Sequence, residues 1–132
     1  YYIARTVAGP FETVVADVVE RLKAQGFGIL SDIDVQATLK AKLGADMPPY
    51  RILGACNPSF AHQALQIEDK LGVLLPCNVI VRETADRRVE VASVDPVVSM
   101  DRTGNAALAS TAEEVRRRLA SVIEAVASQP AR

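Results

Sequence analysis

The chain has 132 residues, 49% hydrophobic and 23% charged, the balance of one globular domain able to bury about two-thirds of its unfolded surface without staples. Fifteen Lys and Arg against sixteen Asp and Glu leave a net charge of -1, so no long-range field gathers nucleic-acid phosphates or anionic lipids. No apolar run nears the about 18 residues of a membrane span, since even Val73 to Val81 is interrupted by Pro76 and Asn78.

Taken in order, Tyr2 to Val7 is β-rich and is stopped by Gly9-Pro10. Helical spacing follows, with Phe11, Val14, Val15, Val18 and Leu22 on one stripe, Pro10 at the first turn and Gly26 at the far end. Phe27 to Ile33 reads as a short strand, and Asp34 as the N-cap of a helix Val35 to Leu43 closed by Gly44. A strand Tyr50 to Cys56 runs into Asn57-Pro58, where Asn caps and Pro opens a helix to about Lys70, ended by Gly72. Val73 to Arg82 and Arg88 to Val94 form a hairpin over Glu83 to Arg87. Asp95-Pro96 ends it, and Val97 to Thr103 reads as a connector with a short turn. The last helix places Leu108, Val115, Leu119, Val122 and Val126 on one stripe. Its start is Asn105 or Ser110, the latter with capping-box spacing to Glu113.

The order β-α-β-α-β-α-β-β-α with no linker or repeat predicts a single α+β domain over residues 1–132, a mainly antiparallel sheet backed by helices with the C-terminal helix packed on it. The run Val79-Ile80-Val81 is apolar on both sides and needs covering twice. Helices cover one face, and a second copy covering the other makes a homodimer the expected assembly. Two cysteines in a chain with its own core read as reduced thiols, which favours a cytoplasmic, reducing compartment. A start at Tyr1 without an initiator Met leaves room for an upstream segment such as an export signal.

Three ordered blocks, Gly26-Phe27-Gly28-Ile29-Leu30 leading to Asp34 through Lys40, Tyr50 through Pro58, and Leu74-Leu75-Pro76-Cys77-Asn78-Val79, resemble the bacterial family called domain of unknown function 302. The resemblance covers nearly the whole chain. It implies a small α+β fold, often dimeric, with no agreed activity and no catalytic residues to carry over.

Cys56-Asn57-Pro58 is the most chemically suggestive spot, because a thiol before a helix N-terminus feels the positive end of the dipole, which lowers its pKa and favours an anion. A small buried hydrophobe beside an ordinary cap explains the same residues and weighs more. Cys77-Asn78 repeats the pair inside a strand, where Asn78 needs a buried partner or a site to line and Cys77, with apolar neighbours, should titrate higher than Cys56. Zinc would want four ligands where the chain has two cysteines and one histidine, so no metal site is assigned within one chain. His62 reads as a solvent-facing helix residue. Asp32 and Asp34 could hold a hard cation, but Asp34 is already used as a cap. Arg116-Arg117-Arg118 reads as a solvated face, paired Glu113 to Arg117 and Glu114 to Arg118.

The sequence therefore predicts a small-molecule-binding or sensing module whose pocket is lined by Cys56, Asn57, Cys77 and Asn78. A thiol-dependent redox or sulfur-transfer enzyme using Cys56 as nucleophile is one alternative, and a structural dimerisation domain another. No cofactor is indicated.

Overall fold

The structure, a computed structural model, describes residues 1–128. Five strands form one antiparallel sheet in the order β1-β5-β4-β3-β2: β1 is Tyr2–Ala8, β2 Gly28–Asp34, β3 Tyr50–Cys56, β4 Cys77–Glu83 and β5 Arg88–Val94. The helices are α1 (Phe11–Ala24), α2 (Val35–Leu43), α3 (Pro58–Ile67), α4 (Pro96–Asp101) and α5 (Ala109–Ala125). Fold class and element order match the sequence reading, and α5 packs on the sheet beside α1.

Register decides which face of each strand is buried. Leu53 pairs with Val79, and Val81 with Val91, all fully buried under α1 and α5. The α1 stripe supplies Val14, Val15, Val18 and Leu22 to this main core, each side chain contributing about 1.5 to 3 kcal/mol on burial. From α5 come Val115, Leu119, Val122 and Ile123. On the opposite face the row Ile33, Ile52, Ile80, Ala92, Ala4 crosses all five strands, within and beside a broad groove over β4 and β5. Gly54 belongs to that face too: a Cβ there would collide with Ser31 Oγ and stand 2.9 Å from Pro76 Cγ, so only Gly lets these side chains close over β3.

A second, smaller core joins Ala64, Leu71, Met100, Leu108 and Ala112. Its elements are those the sequence reading placed least well. The helix at Pro58 stops at Ile67 rather than near Lys70, and Leu71–Leu74 forms a 3₁₀ turn. Strand β4 accordingly begins at Cys77, not Val73, because Leu71 and Leu75 turn into the second core and Pro76 has no N–H for the ladder. The expected connector after Asp95 is helix α4: Asp95 accepts from Val97 N, and Pro96 takes the first position. At the last helix, Asn105 caps a 3₁₀ turn, Ala106–Leu108, by accepting from Ala107 N, and Ser110 lies inside α5.

Candidate functional site

Helix α1 ends in a Schellman motif: Gly26 N donates to the Lys23 carbonyl and Phe27 N to the Leu22 carbonyl, at 3.0 and 2.9 Å. Gly26 has φ +88°, and a Cβ on it would stand 2.9 Å from Asn57 Nδ2. The turn therefore needs Gly twice over, for backbone and for space. It drives Phe27 into the main core beside Leu22. Three residues on, β2 bulges between Ile29 and Ser31, so Leu30 loses its partner on β3. The bulge re-aims Leu30 over the start of α3.

Opposite, Asn57 caps α3, its Oδ1 accepting from Phe60 N at 3.4 Å. The Arg118 guanidinium lies 5.0 Å from the Phe60 ring centroid and donates to the Gln25 carbonyl at 3.1 Å. One arginine on α5 thus ties the start of α3 to the turn after α1.

Between these walls is a cleft of about 330 Å³. It is the seam between the two cores. Phe27, Ala55, Cys77 and Val115 of the main core face Ala64 and Met100 of the smaller one across it. Its lining is almost wholly apolar, and no charged residue is among the described lining residues.

Cys56, Asn57 and Cys77 all line this cleft. Asn78 does not; it pairs with Gly54 and sits exposed on the groove face of the sheet. Cys56 is half-buried and Cys77 buried, both as free thiols. Burial, and secondarily the neighbouring Cys56, pushes the Cys77 thiol up to about 11 from an ordinary 9.0. Cys77 is therefore a neutral S–H across the physiological range. The lining residues that the sequence reading did not name, Phe27, Leu30, Phe60, Leu75, Met100 and Val115, are ordinary apolar side chains. The available signal was the pair Ala61 and Ala64, small residues on the face of α3 that lines the cleft.

The remaining candidates lie elsewhere. His62 is exposed, 3.5 Å from Gln66 on its own helix. Asp32 takes Arg51 Nε at 2.8 Å, and that hydrogen bond holds its carboxyl below the usual range, while Asp34 caps α2 through Ala37 N at 2.9 Å. The two carboxylates do not converge. Arg116 pairs with Asp95, and Arg117 and Arg118 share Glu114 rather than dividing Glu113 and Glu114.

The family model described as "Domain of unknown function DUF302" matches residues 3–126. The crystal structure of an uncharacterized conserved DUF302 protein from Bacillus stearothermophilus is similar, with a TM-score of 0.89 and 26% identity over 96% of this chain and 98% of that one. None of the functionally curated proteins matches this chain.

Proposed function

This chain belongs to the DUF302 family, and since that premise carries a fold without an activity, we propose that the domain is a binding or sensing module for a small molecule held in the cleft between β3, α3 and α5. The observation that carries the reading is the cleft itself: about 330 Å³ of apolar space beside the start of α3, at the seam between the two cores. Ligand sites are typically concavities of about 300 to 1,000 Å³ with mostly apolar walls and a few polar groups. Here the polar groups are Asn57, Thr111 and the two thiols. Two free cysteines support a reducing compartment for the domain.

A homodimer through the groove face is the companion reading, supported by the apolar row that ends on Ile33 and runs through Ile52 and Ile80. A thiol-dependent enzyme remains the alternative for the cleft, favoured by one observation: Cys56 is half-buried on its wall. A purely structural dimerisation domain would use the groove and leave the cleft idle.

Native mass spectrometry of freshly purified wild-type protein and of Ala61→Phe tests the binding reading. The wild type should carry a non-covalent small-molecule adduct, and the filled-cleft variant, with an unchanged circular-dichroism spectrum, should lose it. An adduct equally abundant in both proteins would move the site out of the cleft.

A further inference from the structure

Resting on that reading of the cleft, we infer that its ligand is an uncharged, predominantly apolar molecule of about two to three rings, or an acyl chain of equivalent bulk, and that anions are rejected although the cleft abuts a helix N-terminus.

The size follows from volume. A cavity of about 150 Å³ lined by Leu, Ile and Phe stays dry and takes up benzene. This cleft has about 330 Å³, roughly twice that space.

The charge selectivity follows from where the nearby charges and donors are spent. A helix start ordinarily offers free amides and a positive dipole end to an anion. At α3 most of that offer is spent: Pro58 has no N–H, the Phe60 amide goes to Asn57 Oδ1, and the Ala61 amide goes to the Asn57 carbonyl, which leaves the Ser59 amide of the first turn. Arg118, a cation beside this corner, lies over Phe60, donates to the Gln25 carbonyl, and is matched by Glu114 at 3.1 Å. Hydrogen bonds from Arg117 and Arg118 hold the Glu114 carboxyl down at about 2, so that ion pair persists across the physiological range. The acid is equally spent and attracts no cationic ligand. Cys77, the buried sulfur on the wall, is a neutral thiol. A charged ligand would thus lose its hydration against Phe27, Leu75, Met100 and Val115 with no charged partner to replace it, only the neutral groups of Asn57, Thr111 and the thiols. A neutral apolar ligand loses nothing of that kind, and gains from every wall it covers.

Two fluorescent probes with one scaffold separate the outcomes: N-phenyl-1-naphthylamine is neutral, and 8-anilino-1-naphthalenesulfonate adds one sulfonate. The neutral probe should bind wild-type protein at least about tenfold more tightly than the sulfonate, a gap of about 1.4 kcal/mol. Ala61→Phe should abolish that binding. Equal or tighter binding of the sulfonate, lost in Ala61→Phe, would overturn the inference about charge and leave the cleft as the site. Binding of neither probe, or binding indifferent to Ala61→Phe, would overturn the cleft reading and the inference with it.

Discussion

Cys56 and Cys77 share a wall of the cleft but differ in what surrounds the sulfur. Cys77 is buried, on the helix-covered face of β4 beside Ala55, and its thiol is pushed up to about 11 by burial first and by Cys56 second. Cys56 ends β3, half-buried, one residue before the Asn57 cap. Alkylation requires a reachable thiolate. With iodoacetamide at about pH 8, the Cys77→Ser variant, which retains Cys56, should react at least about tenfold faster than Cys56→Ser, which retains Cys77. The slow sulfur should accelerate as pH climbs toward 11, where its thiolate forms. Should Cys56 be as inert as Cys77, the thiol-enzyme alternative falls and Cys56 becomes plain cleft wall. The contrast between the two sulfurs was legible in part from flanking residues, since a thiol between Pro76 and Asn78 in an apolar run is placed for burial. That Asn78 faces away from Cys77 follows from strand alternation alone, because neighbours on a strand point to opposite faces.

At the scale of elements, α2 is held differently from α1 and α5. It buries none of its residues fully. Its ends are closed, since Asp34 accepts from Ala37 N at 2.9 Å, Thr38 Oγ1 donates to the Asp34 carbonyl, and Gly44 at φ 67° bonds the Lys40 carbonyl, while Gln36 donates to the Met47 carbonyl and Lys40 pairs with Asp46 in the loop that follows. Removing the N-cap should cost about 1 kcal/mol, and with so little packing the loss should stay local. In Asp34→Ala, amide exchange over Ala37 to Lys40 should quicken by about fivefold while the melting temperature moves by no more than about 2 °C. A large drop in melting temperature would show that α2 unfolds with the core. Such end signals are also where the sequence was most readable: Asn57-Pro58 marks α3 to the residue. The identical logic applies to Asp95-Pro96, yet α4 has six residues, too few for apolar spacing to show. The bulge at Leu30 left no trace in the sequence, because it is fixed by what β3 presents across the ladder rather than by local residue type. Half the cleft was invisible for the same reason. Its walls are ordinary core residues, and the space appears where two cores fail to merge.

At the scale of the whole molecule, the sheet is covered by α1 and α5 on one face and keeps a groove on the other, lined by Tyr2, Tyr50, Ile80 and Ala92 among others. Five strands about 4.8 Å apart and about seven residues long at about 3.4 Å each give this face a span of roughly 24 by 24 Å. That is a planar area of roughly 580 Å², against about 800 Å² per partner in ordinary stable complexes, and Tyr1 and Leu74 line the groove as well. The charges there are already matched, since Arg82 Nε meets Glu90 Oε1 at 2.7 Å across β4 and β5. Two copies related by a two-fold axis present the same patch to each other, and a patch that neutralises itself brings no like-charge repulsion to that contact. Sedimentation of the wild type at micromolar concentration should therefore show a dimer. Ile80→Glu, which changes the groove side of β4 and leaves Val79 and Val81 in the core, should sediment as a folded monomer. Because the cleft lies between α3 and α5 rather than on the groove face, that monomer should bind N-phenyl-1-naphthylamine as the wild type does. A wild type that sediments as a monomer would remove the homodimer, and an Ile80→Glu protein that remains a dimer would place the contact on another surface.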